Sequence, residues 1–330
     1  MPLLDIQNLH VSFAAGNGMV PAVTGLSLSL DAGETLGLLG ESGCGKSAAA
    51  MSIARLLPSP PAVVRADRLL FRGRDMLRAT AGELRRVRGG EIGVVFQDPM
   101  TSLSPLARVA GQIEEAVRLH HARTPRAELR RMALEWLARV GIDDPAQVAR
   151  ALPHQLSGGM QQRVMIAIAL ANDPVLIIAD EPTTALDATL QARILDLIGA
   201  LRKPGAALLL ITHDIGVVAK MAARVAVMYA GEIVETAPAA EFFEAPLHPY
   251  SSALLAAVPS LATRGKPLPS IPGQVPAPGK WPAGCRFAPR CPRALPRCLA
   301  APPTPHGAGP GRVVCCHLYG EPPGAGQSRP

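Results

Sequence analysis

No stretch of the 330 residues approaches the roughly 18 uninterrupted apolar residues that a membrane-spanning helix needs. The opening residues, MPLLDIQNLH, also lack the basic segment and apolar run of a secretion signal. A cytosolic, soluble polypeptide is the expectation. Acid is nearly missing from residues 259–330, which hold nine Lys/Arg against Glu321 alone. The net charge of +7 is therefore +8 in this tail and −1 in residues 1–258. A near-neutral body argues against a general nucleic-acid surface, and no nucleic-acid partner is expected. Cysteine is scarce in the body as well: Cys44 stands alone there, while Cys285, Cys291, Cys298, Cys315 and Cys316 crowd the tail. Without a secretion signal a disulfide framework is not expected, and metal or redox chemistry is the better reading of that group. Internal repeats are absent too.

What is present begins with length enough for a large core and an appendage. Residues 26–30, LSLSL, alternate as a half-buried strand does, and DAGE supplies a turn. TLGLL then runs as a short strand into GESGCGKS (40–47), followed by the helical AAAMSIARLL, which PSPP halts. VLIIA (175–179) and ALLLIT (207–212) are continuous apolar runs, the signature of parallel strands buried on both faces. Residues from about 100 to 172 carry no such run and read as helices, AELRRMALEWLARVG being amphipathic. RVAVMYAGEIVE reads as a hairpin turning at Ala230-Gly231. Beyond it composition shifts: 17 of the 33 prolines lie from Pro259 onward, too many to form an ordinary core unaided.

GESGCGKS satisfies G-x-x-x-x-G-K-S. Its glycines turn backbone N–H groups toward a phosphate, the helix start adds positive potential, Lys46 reaches the outer phosphates and Ser47 ligates magnesium. The bland alternative is a coincidental glycine-rich turn, which the strand before and helix after disfavour. VLIIADEP is the second part: Asp180 holds magnesium through water, and Glu181 orients and polarises the attacking water. LSGGMQQR (156–163) is another helix start, with Ser157 and two glycines exposing N–H groups. One chain thus offers two anion-binding helix ends.

In this order and spacing, GESGCGKS, LSGGMQQR, VLIIADEP, TALD (184–187) and ITHD (211–214) resemble the ATPase subunits of ABC transporters. The resemblance implies an α/β fold: an ABC-type P-loop ATPase core with an antiparallel β subdomain and a helical subdomain (about 100–172). That core would span 1–258, with a Cys/Pro-rich C-terminal extension at 259–330. It implies ATP bound by Gly40, Glu41, Ser42, Gly43, Cys44, Gly45, Lys46, Ser47 and Ala48 of one unit and by Ser157, Gly158, Gly159 and Gln161 of the facing one. It further implies Ser47, Gln97 and Asp180 on Mg2+, and His213 on the γ-phosphate, acting with Glu181 and Lys46 in hydrolysis. Asp187 would communicate across the dimer. Phe13 resembles the aromatic that stacks on adenine; an isolated Phe on a strand otherwise belongs to a core. Cys44, near a helix start and a lysine, is expected to have a lowered pKa and to react readily.

VFQDPMTSLSP, LSGGMQQRVMIAIAL and PLHPYSSALL resemble, more closely, the oligopeptide/dipeptide importer ATPases, a branch that includes nickel importers. The branch implies peptide import driven through two membrane permease subunits, with an extracytoplasmic solute-binding protein acting indirectly. The location implied is peripheral, on the cytoplasmic face of the cell membrane. Met160, where many relatives of the family have glutamine, implies a heterodimer with a sister ATPase. Nickel or another small solute is the alternative cargo. A soluble ABC protein is a more distant one, since neither a second ATPase unit nor a long coiled-coil insertion is present.

In the tail, Cys285, Cys291, Cys298 and a member of the pair Cys315/Cys316 offer four soft thiolates, able to hold zinc or a four-iron, four-sulfur cluster. The resemblance implies the iron-sulfur cluster, with Cys316 as the fourth ligand because it precedes His317-Leu318. Arg286, Arg290, Arg293 and Arg297 are interleaved with these positions, either offsetting thiolate charge or forming a basic face.

Overall fold

The computed structural model describes residues 1–16, 18–183, 188–258 and 270–319. The chain opens on two long strands, β1 (Leu4–Ala15) and β2 (Gly18–Leu30). Leu4 and Ile6, then Leu9 and Val11, enter the core; the alternation slips by one residue at Asn8, whose φ is 52°. β3 (Thr35–Leu39) is buried along its whole length and leads through the glycine-rich loop into α1 (Lys46–Ile53). Next come β4 (Ala62–Arg65), β5 (Arg68–Phe71), β6 (Arg74–Asp75), α2 (Ala81–Val87) and β7 (Ile92–Val95). α2 starts on a reciprocal cap between Thr80 and Glu83.

From 99 to 170 every element is helical: α3 (Pro99–Ser102), α4 (Val109–Arg118), α5 (Arg126–Arg139), α6 (Pro145–Arg150) and α7 (Gly158–Leu170). β8 (Leu176–Asp180), α8 (Ala188–Leu201), β9 (Ala207–Thr212) and α9 (Ile215–Met221) restore the α/β alternation. β10 (Arg224–Tyr229) and β11 (Glu232–Pro238) form a hairpin turning at Ala230-Gly231, both at positive φ, as a tight right-twisted turn requires. α10 (Ala239–Glu244), α11 (Pro249–Ala256), α12 (Pro296–Ala300), β12 (Pro305–Gly309) and β13 (Arg312–Cys315) complete the described elements.

These elements fold as two compact units interleaved in sequence: Met1–Leu4, Leu30–Thr35 and Leu70–Ile211 form the first, and Asp5–Ser29, Leu36–Leu69 and the chain from Thr212 onward the second. In the first, β7, β8 and β9 pair in parallel, Ile178 opposite both Val94 and Leu209. Both faces of β8 are buried, which is why VLIIAD reads as a continuous apolar run rather than an alternating one. The helices 109–170 pack around Ile113, Val117, Ala133, Leu137 and Val164, all fully buried.

In the second unit β3 pairs in parallel with β10, and β11, β13 and β12 extend that edge antiparallel. β1 pairs with β4 in a separate antiparallel sheet. The proline-rich tail, which by composition builds no ordinary core unaided, draws on a shared one. Phe287, Ala288, Cys285 and Cys298 are buried together with Tyr229, Phe242 and Tyr250 from β10, α10 and α11. Tyr229 meets Tyr250 and Phe287 edge to face, and Tyr250 and Phe287 are tilted to one another, with ring centroids 4.7 to 5.3 Å apart. The tail is poor in large apolar residues, so those it has are spent on a core built mostly by other elements.

Candidate functional site

The phosphate-loop geometry is set in the second unit by two close approaches. A Cβ on Gly40 would lie 2.2 Å from the Met228 carbonyl, and one on Gly45, whose φ is 103°, would lie 2.5 Å from the Ala22 carbonyl. Only glycine lets the loop pass there. Lys46 is 4 % exposed, and its Nζ donates to the carbonyls of Gly40 (2.8 Å) and Glu41 (3.1 Å), so the buried cation is satisfied across the loop mouth. Ser42, Gly43 and Ser47 are exposed, Glu41, Gly45 and Ala48 half-buried. The Glu41 N–H donates to the Tyr250 hydroxyl at 2.9 Å.

Cys44 departs from expectation. The thiol is 1 % exposed, and a Cβ on Gly40 would lie 2.8 Å from its Sγ, which places the sulfur beneath the loop. Burial raises its pKa and outweighs the lowering by Lys46. A buried, protonated thiol is a poor nucleophile. Iodoacetamide at neutral pH is therefore expected to alkylate Cys44 in the folded protein at least about tenfold more slowly than a free thiol, with denaturant removing the difference. Mass-spectrometric labelling kinetics measure this, and labelling at the free-thiol rate would contradict the burial. Cys44→Ser is expected to keep its activity.

The first unit carries the acidic strand end. Asp180 is 5 % exposed at the end of β8. Glu181 follows with φ 45°, a left-handed conformation uncommon outside glycine and costly enough to mark a functional turn. Its N–H donates to the Ile211 carbonyl at 2.9 Å, and its carboxylate accepts from the Gln97 amide at 3.4 Å. Gln97 and Glu181 are thus brought together across 84 residues. α7 starts at Gly158, with Ser157 as its cap accepting from the Met160 N–H. Gly158 is exposed, and a Cβ on Gly159 would meet Leu190 at 3.1 Å.

Gln161, expected at the ligand face, is instead turned inward: 5 % exposed, it donates to the carbonyls of Pro153 (2.9 Å) and Leu156 (3.2 Å). Its amide is held by two carbonyls just ahead of the helix start, so the side chain fastens that turn from within. Gln162, which the motif reading passed over, is 2 % exposed and donates to the Pro182 carbonyl, tying α7 to the turn that holds Glu181. Nothing in its local spacing marks it, since the partner is 20 residues away.

His213 is exposed just past β9 in the second unit, and Asp214 caps α9 by accepting from the Gly216 and Val217 N–H groups. Phe13 is half-buried on β1 opposite Ala62. Asp187 and the TALD segment lie outside the described residues.

A second constellation occupies the tail side of the same unit. Cys285, Cys291, Cys298 and Cys316 line one small pocket together with His248. Cys315 does not join them; it lines a groove with Asp5, Ser27 and Arg224. Among the described residues no group of three or more His, Cys, Asp or Glu side chains is arranged to hold a metal ion. Burial pushes the Cys285 thiol up to about 11 and the Cys315 thiol up to about 12. His248 is pushed down to about 4 by burial, and its Nδ1 accepts from the Tyr250 N–H at 3.0 Å. Glu235, 1 % exposed, seats this turn by accepting from the Leu247 (2.9 Å) and His248 (2.8 Å) N–H groups.

The interleaved arginines do not act as one surface. Arg286 stacks over Trp281 at 3.8 Å and pairs with Glu232 at 3.4 Å, and Arg297 donates to the His317 carbonyl. Arg290 is 8 % exposed and forms a two-pronged bond to Glu41 of the phosphate loop, at 2.8 and 3.1 Å. Neither the basic-face reading nor the charge-offset reading anticipates that bond.

Residues 23–184 match the ABC transporter family, and residues 234–298 match the C-terminal region of oligopeptide/dipeptide transporters, a match that begins ahead of the change in composition at 259. The chain is 48 % identical over 317 residues to a probable peptide ABC transporter ATP-binding protein, y4tR, of Sinorhizobium fredii, covering 95 % of this chain and 94 % of that one. It is 46 % identical over 318 residues to the dipeptide transport ATP-binding protein DppD of Escherichia coli, covering 96 % and 97 %. Among solved structures, it resembles the ATP-binding cassette MJ0796 in a dimeric post-hydrolysis state bound to ADP and Pi. There the TM-score is 0.62 at 30 % identity, over 72 % of this chain and 98 % of that chain.

Proposed function

Because the chain belongs to the ATP-binding proteins of peptide ABC transporters, we propose that it binds and hydrolyses MgATP to drive import of dipeptides or oligopeptides through membrane-embedded partners. The observation that carries peptide over other cargo is the match of residues 234–298 to the oligopeptide/dipeptide transporter C-terminal region. Lys46 and the loop N–H groups take the phosphates, Ser47, Gln97 and Asp180 hold Mg2+, Glu181 polarises water, and His213 meets the γ-phosphate. Ser157 and its glycines cap the ATP of a facing subunit, with Asp187 signalling across the pair. Phe13 stacks on adenine.

Met160 in the signature segment supports a sister ATPase as that partner rather than a second copy. The pair sits on the cytoplasmic face of the membrane against two permease subunits, fed by an extracytoplasmic solute-binding protein. No described helix is long and apolar enough to cross a membrane. In the tail, Cys285, Cys291, Cys298 and Cys316 would be the residues to hold a four-iron, four-sulfur cluster. What supports this is their convergence on one pocket and the softness of four thiolate donors. Such a cluster would supply a covalent staple among the four segments and a one-electron centre.

Co-expression with the candidate permeases and sister chain tests the function. The complex is expected to co-purify, and its ATPase in lipid to rise several-fold with a peptide-loaded receptor. Stimulation by a nickel-loaded receptor alone would move the assignment to metal import, and failure to co-purify would refute the transport role.

A further inference from the structure

Resting on the reading of residues 40–47 as an ATP cradle, we propose that Arg290, carried by the cysteine-bearing tail, is a positioning residue of the nucleotide site. It acts through Glu41, whose carboxylate it neutralises and whose conformation it fixes. Glu41 is the second residue of the loop, so its charge lies beside the place a triphosphate must occupy. A bare carboxylate there repels the ligand; one paired to a buried guanidinium does not.

The geometry is that of a built contact. Both terminal nitrogens of Arg290 donate to Glu41, at 2.8 and 3.1 Å, while its Nε donates to the Pro272 carbonyl at 2.8 Å. Its side chain is 6 % exposed against 27 % for Glu41, and its guanidinium lies 5.8 Å from the ring centre of Tyr229. All three guanidinium nitrogens are thus engaged, and the fork has one orientation available. The other side of Glu41 is held independently, by the Tyr250 hydroxyl on its N–H at 2.9 Å. Tyr229 and Tyr250 pack on one another and on Phe287, three residues before Arg290. Lys46 in turn donates to the Glu41 carbonyl at 3.1 Å, so a displaced Glu41 also displaces the lysine that reaches for phosphate.

Titration of the full chain with a fluorescent ATP analogue, alongside thermal unfolding, tests this. Arg290→Gln is expected to weaken binding about tenfold and Arg290→Lys about threefold, because an ammonium keeps the charge but not the fork. In a Glu41→Gln background, where no charge is left to neutralise, each of those losses is expected to shrink to about twofold or less. Equal losses in both backgrounds would make Arg290 an ordinary packing residue and overturn the proposal, as would unchanged affinity in Arg290→Gln. If Arg290→Gln lacks a cooperative unfolding transition, Arg290→Lys in the two backgrounds decides by the same comparison. Failure of the unaltered chain to bind, or binding that survives Lys46→Ala, would instead remove the ATP reading, and the proposal with it. The unaltered and Lys46→Ala chains tell that failure apart from failure of the clamp.

Discussion

Glu181→Gln is expected to lower ATP turnover by about 100-fold or more while leaving the dissociation constant for ATP within about twofold of the unaltered chain. The side chains are nearly isosteric, so the left-handed turn at φ 45° and the N–H bond to Ile211 should persist. What is lost is the anionic acceptor. A carboxylate can order a water and draw its proton as the bond to phosphorus forms; a carboxamide at the same place cannot. The amide of Gln97, 3.4 Å away, donates to that carboxylate and fixes where it points. Single-turnover hydrolysis and analogue binding, measured on the same preparation, separate the chemical step from binding. Turnover at the original rate would remove Glu181 from its role, whatever the resemblance to other cassettes.

Protein purified without oxygen is expected to contain about four iron and four labile sulfides per chain, as a cubane cluster requires. Cys316→Ser should lower that content several-fold and Cys315→Ser should leave it unchanged. The two cysteines are neighbours, yet they serve different surroundings. Cys315 ends β13 opposite Pro305 and looks into the groove with Asp5 and Arg224, whereas Cys316 reaches the pocket of Cys285, Cys291 and Cys298. Successive side chains at a strand end point to opposite faces, so only the second can join the set. Removing the metal should also lower the melting temperature, because binding free energy of such a group is folding free energy. About one zinc per chain, or no metal, would end the iron-sulfur assignment. Loss of iron from Cys315→Ser but not from Cys316→Ser would reverse the choice between them.

The parts of the site that are contiguous in the chain were legible in the sequence. A phosphate loop is a run of backbone between a strand and a helix, and glycine spacing with flanking apolar periodicity suffices to place it, as β3 and α1 bear out. The same holds for Asp180 and Glu181, which stand where a doubly buried strand ends, and for the α7 start capped by Ser157. The direction a side chain takes was less legible. Gln161 and Cys44 both sit inside recognisable motifs, and both face inward, because the environment beneath a loop or helix start is supplied by other elements.

By itself, then, the sequence determined the α/β class, the strand-loop-helix cradle, the acidic strand end and the second helix start, since each depends on neighbours within about ten residues. Tertiary structure alone decided that the loop cysteine is shielded and that the tail shares the core of β10, α10 and α11. It alone joined Arg290 to Glu41 across 249 residues. Pairing at that distance leaves no periodicity or spacing in the chain; it exists only because burying Phe287 and the two tyrosines together fixes where the neighbouring guanidinium ends up.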